Sequence, residues 1–186
     1  MMPSGYFSTP LIFLIDTLFS IYLAIIALRL IMQWAQWEHH NPLVQMIIRA
    51  TQIPVKFLRQ FIPPLGRWDS ATIVLLIVLT LIKLFLIVLL QSIPVTFYIL
   101  VSWLLADIFS LFITLFTASI IIQVILSWVA PYNDNPISPL INRMNSPLLN
   151  PVKRWLPPLS GLDLSPLVVI LGLQVLSMLV LPLLTG

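Results

Sequence analysis

Apolar residues fill positions 11–32, 71–90, 95–129 and 167–184 almost without interruption. The first run holds 22 residues and two charges, Asp16 and Arg29; the second contains Lys83, the third Asp107, and the fourth no charge. A helix rises about 1.5 Å per residue, so about 20 such residues cross a hydrocarbon core of about 30 Å. Each run is predicted to be a transmembrane helix. The third run has 35 residues, which as a helix would reach roughly 50 Å. Either it tilts and protrudes, or its start lies along the interface. Residues 91–94, Gln-Ser-Ile-Pro, are the one break between the second and third runs. Proline stops one helix and can start the next, so a tight helical hairpin is predicted there.

The two longer connections have a different pattern. In the first, Gln45, Arg49, Gln52, Lys56 and Arg59 recur at steps of four, three, four and three among residues that are nearly all apolar. That is a helical period with a narrow basic face and a wide apolar one. Pro54 predicts two short helices with a break near Ile53. In the second, Asn142, Asn145, Asn150 and Lys153 mark one side, and Leu140, Met144, Leu148 and Val152 the other. Pro139, Pro147 and Pro151 predict a series of turns. Both segments read as amphipathic stretches on the membrane surface, with Arg49, Lys56, Arg59, Arg143, Lys153 and Arg154 among anionic lipid phosphates. They can equally cap the ends of the bundle, or dock another protein.

A shift of 94 residues lays the chain on itself. Trp34 meets Trp128, Asn41-Pro42 meets Asn135-Pro136, Arg49 meets Arg143, Pro63 meets Pro157 and Asp69 meets Asp163. Nine of the 36 positions from 34 to 69 match without a gap. Apolar bias would not produce matches at Trp, Asn, Arg and Asp. The chain is therefore two tandem units, 1–94 and 95–186. The first has spans near 11–32 and 71–90 around an amphipathic loop at 37–69. The second has spans near 103–128 and 167–184 around a loop at 131–164, and residues 95–102 become an insert near the outer surface. Two spans per unit give both copies one orientation, a parallel repeat. The fold class is an all-α membrane protein of four transmembrane helices. Inverted repeats are the commoner transporter form, which weighs against a transporter.

Charge placement sets the topology. Seven of the nine Lys and Arg residues lie in the two long connections, and none in the termini or in 91–94. By the positive-inside rule both loops are expected in the cytoplasm and both termini outside. Charged residues make up only 8% of the chain, against roughly a quarter in soluble domains, so lipid must solvate most of its surface. There is no cysteine, which excludes disulfides, thiolate metal sites and a cysteine nucleophile.

Charges inside a membrane are costly and draw attention to function. Asp16 and Asp107 lie near the outer ends of the first and third spans, and Lys83 approaches the same depth, roughly 10 Å below the end of the second. They read as a shared ion pair: a cation or proton site, or a staple between spans. Arg29, near the inner side, can snorkel to phosphates or reach Asp69 or Asp163. Trp34, Trp37, Trp128 and Trp155 suit an aromatic belt. His39-His40 has no acidic cluster to complete a metal site. No phosphate loop, nucleophile elbow or zincin motif is present. The reading is non-enzymatic, with no cofactor and no nucleic-acid partner.

The stretch Asn-Ser-Pro-Leu-Leu-Asn-Pro-Val-Lys-Arg-Trp-Leu-Pro-Pro-Leu-Ser-Gly-Leu-Asp-Leu-Ser-Pro at 145–166 resembles the signature of the YggT family, also called YlmG. Arg-Leu-Ile-Met-Gln-Trp at 29–34 and Asn41-Pro42 resemble its first-repeat motif. The likeness covers nearly the whole chain and is closest to gammaproteobacterial members. The first copy departs from the signature, since residues 51–57 lack its Pro-x-x-x-Pro spacing and Asp69-Ser-Ala lacks the following Pro. The resemblance implies a small multi-pass protein of the bacterial inner membrane. It is linked to osmotic tolerance and potassium balance, and in relatives to cell division, membrane organisation or cytochrome assembly. It brings no catalytic residues. Two expectations result: a scaffold or assembly factor held to the inner leaflet by its basic loops, with membrane lipids and other membrane proteins as partners, or a subunit of an oligomeric channel or transporter.

Overall fold

A computed structural model describes residues 8–37, 40–63, 69–129, 136–156 and 163–186. The motif positions Asn135 and Pro157, with His39 and Arg67, lie outside the described residues. The described chain is built of six helices: α1 (Ser8–Trp34), α2 (Pro42–Arg59), α3 (Ser70–Gln91), α4 (Phe97–Val129), α5 (Ile137–Trp155) and α6 (Ser165–Thr185). Helices α1, α3, α4 and α6 are long and apolar enough to cross a membrane. α1 packs along α3 and α4 along α6, while α2 lies against the first pair and α5 against the second. The fold is thus two parallel tandem copies of span, amphipathic helix, span. α4 also touches α1 and α3, joining the copies.

Two clusters form the core of this arrangement. Leu23, Ile26, Ala27 and Leu30 of α1 pack with Val55 of α2 and Ala71, Leu75 and Leu76 of α3. Across the seam between copies, Ile31, Met32, Trp37 and Val44 pack with Leu140 and Met144 of α5. Many large apolar side chains on the spans, such as Phe13, Leu18, Phe85, Met178 and Leu183, face outward. That pattern suits lipid as solvent.

Local signals explain the helix ends. The Asn41 side chain accepts the Leu43 amide and Pro42 occupies the first helical turn, which together start α2. Ser92 closes α3 in the left-handed region (φ 52°), ahead of the turn into α4.

Two sequence expectations need correction. α2 runs unbroken through Pro54. A proline has no N–H for the carbonyl four residues back, here Ala50, and that oxygen accepts the Tyr22 hydroxyl at 3.4 Å instead. α5 likewise runs through Pro147 and Pro151 rather than breaking into turns. The Arg143 carbonyl released by Pro147 accepts the Ser146 hydroxyl at 3.0 Å. Residues 97–102 are helical and form the first turns of α4, continuous with the span.

The amphipathic helices also differ from each other. α2 has three faces. Val44, Thr51 and Val55 are buried, Arg49, Lys56 and Arg59 mark a polar side, and Met46, Ile53 and Phe57 form an exposed apolar side, which Phe61, just past the helix, extends through its edge-on contact with Phe57. In α5 the apolar side (Leu140, Ile141, Met144, Leu149) is buried against the spans. Its exposed side is polar, with Asn142, Arg143, Asn150, Lys153 and Arg154. The apolar stripe of the second loop therefore builds core. α5 keeps Trp155 exposed at its end, whereas α2 keeps a whole apolar side outside.

Candidate functional site

Polar groups gather at three places, two of them equivalent under the 94-residue shift. In the first copy the centre is Asp69, immediately before α3 and only 5% exposed. Arg59, from the last turn of α2, grips its carboxylate with two bonds, Nε–Oδ1 at 3.2 Å and Nη2–Oδ2 at 2.6 Å. The Thr72 hydroxyl donates to Oδ2 at 2.7 Å, and the Asp69 amide donates to Gln33 Oε1 at 3.3 Å. The guanidinium of Arg29, buried in α1, lies 3.9 Å from Oδ2. Its Nη1 donates to Thr51 Oγ1 at 2.7 Å. Thr51 passes its own proton to the Ile47 carbonyl at 2.7 Å. One carboxylate thus ties α1, α2 and α3 together. Burial alone would push the Asp69 carboxyl up. The bonds from Arg59 and Thr72 and the charges of Arg59 and Arg29 outweigh burial and hold it below the usual carboxylate range.

In the second copy Asp163 and Lys153 stand where Asp69 and Arg59 stand in the first. Lys153 Nζ is 3.0 Å from Asp163 Oδ2, and Asp163 Oδ1 accepts the Ser165 amide at 2.9 Å. Burial works to raise this carboxyl too, and the Ser165 and Lys153 contacts prevail and lower it. Gln123 replaces Arg29 and Asn145 replaces Thr51. The Asn145 amide donates to Gln123 Oε1 at 2.8 Å and accepts the Ser119 hydroxyl at 2.7 Å. The donor has moved from the span to the amphipathic helix, so the contact persists with its direction reversed. A cavity of ≈ 390 Å³ opens beside Gln123, Ser127, Lys153 and Asp163.

The third cluster lies toward the opposite end of the spans. Lys83 of α3, 4% exposed, has its ammonium 2.6 Å from Asp107 Oδ2 in α4 and 3.4 Å from Asp16 Oδ1 in α1. It joins helices of both copies. Asp16 is more than half exposed and Asp107 a third.

The remaining sequence-derived residues fall outside these clusters. Arg49, Lys56 and Arg154 are exposed on α2 and α5. Arg143 donates to the Gln36 carbonyl at 2.8 Å and Asn41 to the Pro136 carbonyl at 2.6 Å, both across the seam. The Pro63 carbonyl accepts the Ser70 hydroxyl at 2.6 Å. Trp34 and Trp128 are exposed where their spans end. Arg59 and Lys153, expected among lipid phosphates, hold carboxylates instead, though each stays half exposed. Among the described residues no three metal-ligating side chains converge. The sequence reading missed Gln33, Thr51, Thr72, Ser119 and Gln123 as site residues. The signal was available in the same shift, which pairs Arg59 with Lys153 and Thr51 with Asn145, polar pairs that are not identities.

Comparison with known proteins accords with this duplication. The family model described as CCB3/YggT matches the chain twice, at residues 8–90 and 102–184. A Pseudomonas aeruginosa protein is 42% identical over 175 residues, covering 93% of this chain and 89% of its own length. The YggT protein of Escherichia coli K12 is 33% identical over 168 residues, covering 90% and 87%. A Vibrio alginolyticus protein is 35% identical over 169 residues, covering 87% and 88%. No solved structure matches the chain.

Proposed function

Because this chain belongs to the CCB3/YggT family, whose model it matches twice, we propose that it is a non-enzymatic scaffold of the bacterial inner membrane. The observation that carries this reading is the three-sided α2. Its exposed apolar side, Met46, Ile53 and Phe57, extended by Phe61 just past the helix, runs beside Arg49 and Lys56. That is the surface of a helix lying at the acyl–headgroup boundary of an anionic leaflet. Locked to the spans through Thr51 and Asp69, such a helix transmits a fixed geometry to the lipid or to a neighbouring membrane protein. The positive-inside rule puts this surface in the cytoplasm and both termini in the periplasm. Tolerance of osmotic stress and potassium balance would follow from membrane organisation.

The test replaces Ile53, Phe57 and Phe61 with Ser, and separately Arg49 and Lys56 with Gln, in cells lacking the native gene. Both variants should insert normally yet fail to restore survival after hyperosmotic shock. Wild-type survival with both would refute the scaffold reading. Reporter fusions at each terminus check the topology, and a cytoplasmic signal from either would refute the assigned orientation.

One observation favours a second reading, a subunit of an oligomeric ion pathway. Lys83, Asp16 and Asp107 place ionic groups within the spans, and Asp16 faces outward where another copy could meet it. Purified protein in liposomes should then pass cations at a rate altered by Lys83→Ala. Flux no greater than in empty vesicles would remove this reading.

A further inference from the structure

The two equivalent clamps differ in one respect that changes their chemistry. In the first copy the Arg29 guanidinium bridges the span between Thr51 and Asp69. In the second, Gln123 stands at the Arg29 position and is held toward Asn145. Its side chain is shorter, and Ser127 likewise replaces the longer Gln33. The positions equivalent to Arg29, Gln33, Trp34, Arg59, Asp69 and Thr72, which are Gln123, Ser127, Trp128, Lys153, Asp163 and Pro166, border a cavity of ≈ 390 Å³ in the second copy. That volume is in the range of roughly 300–1,000 Å³ typical of small-molecule sites.

Charge and hydrogen bonding specify what fits. The first clamp holds two guanidinium groups and one carboxylate, the second one ammonium and one carboxylate. The second is one positive charge short of its counterpart. The Asp163 carboxylate also has fewer donors. Lys153 offers a single point contact where Arg59 offers a two-pronged one, and Pro166, at the position of Thr72, has no donor. A carboxylate has about four acceptor sites, and among the described residues Lys153 and Ser165 supply the donors to Asp163. A planar cation with several N–H groups answers both deficits, and Trp128 adds an aromatic wall suited to cation stacking. A hard divalent cation such as Mg2+ or Ca2+ does not, since it requires six or more oxygen ligands or water in their place, and Lys153 already neutralises the one carboxylate.

We propose that the second-repeat cavity binds a guanidinium group on an aliphatic stem, seated between Gln123 and Asp163 as Arg29 is seated in the first repeat. The group comes from a free alkylguanidine or from an arginine of a neighbouring chain. This inference does not depend on the scaffold reading.

The test uses full-length protein in nanodiscs holding one chain each, with agmatine as probe and tetramethylammonium chloride at equal ionic strength as control. Millimolar agmatine should raise the unfolding temperature and the control should not. Asp163→Asn should weaken the apparent affinity at least tenfold. Gln123→Arg, which supplies the guanidinium internally, should abolish the agmatine response. Should that variant fail to insert, Ser127→Leu, which fills the space without charge, must abolish it instead. Equal shifts with agmatine and control, or an agmatine shift undiminished in these variants, would overturn the proposal. The two sources separate in mildly solubilised membranes. Gln123→Arg shrinks a native complex if a neighbour's arginine is the ligand, and leaves its size unchanged if the ligand is a free solute.

Discussion

Asp69→Asn and Asp163→Asn are the same substitution at equivalent positions, and the structure requires unequal consequences. Asp69 is 5% exposed and faces Arg29, whose side chain is 6% exposed. Removing its charge leaves a buried guanidinium with no counter-charge among the contacts described here, a situation that costs about 3–5 kcal/mol. Arg59, half exposed, can turn to water, so its lost bond contributes little. Asp163 and Lys153 are 39% and 45% exposed, and a pair this open is worth about 0–1 kcal/mol. The assay is reversible unfolding in bicelles by steric trapping, with each variant compared with wild type. Asp69→Asn should lose at least three times as much stability as Asp163→Asn. Adding Arg29→Gln, which gives the first copy the glutamine of the second, should recover most of the loss, because the isolated charge disappears. Equal losses at the two positions, or no recovery in the double variant, would show that burial of Arg29 does not govern this clamp.

Acid should act through the same carboxylates. Both are held below their unfolded value of about 3.9, so their contribution is complete above that pH and vanishes as pH falls through the lower folded values. A stability–pH curve should therefore drop below about pH 4 and be flatter for Asp69→Asn. At the outer triad, Asp16→Asn or Asp107→Asn alone should be tolerated because Lys83 keeps one carboxylate. Together they strand a buried ammonium and should cost about 3–5 kcal/mol in the same assay, whereas additive single effects would argue against a shared site. Ser92→Gly should stabilise by about 1 kcal/mol, because a left-handed φ strains a residue with a Cβ.

The architecture was readable because lipid enforces it. Long apolar runs, with seven of the nine basic residues in two connections, leave few alternatives to four spans. Identities such as Trp34/Trp128 and Asp69/Asp163 expose the duplication. Depth arithmetic alone placed Lys83 near Asp16 and Asp107, since a straight helix converts sequence separation into distance. Reading failed where a tertiary partner decides the outcome. Pro54 and Pro147 look like helix breaks until Tyr22 and Ser146 are seen to satisfy the carbonyls they release. The apolar stripe of α5 looks like a lipid face until α1 and α4 are found covering it. Thr51 and Gln123 have no local signal, because their partners lie 22 residues away on another helix.

The repeat also bears on the choice between scaffold and ion pathway. A conducting route shared by two parallel copies would be expected to place ionisable groups at equivalent depths in both. The outer triad does not recur: the positions equivalent to Asp16, Lys83 and Asp107 are Ser110, Ser177 and Phe13. It joins α1 and α3 of one copy to α4 of the other, where a staple between copies would be placed. The inner clamp does recur, and each instance ties an amphipathic helix to its spans. What evolved separately is the outward surface, apolar on α2 and polar on α5, and the content of the clamp, an arginine in one copy and a cavity in the other. The two copies thus share the means of positioning α2 and α5 and differ in what each presents. That is the expected history of a protein whose amphipathic helices meet different neighbours, and it makes exchange of the two helices a decisive experiment. A chain carrying α5 in both positions should insert but lose its grip on the leaflet, and undiminished osmotic rescue by that chain would mean that the difference between the helices carries no function.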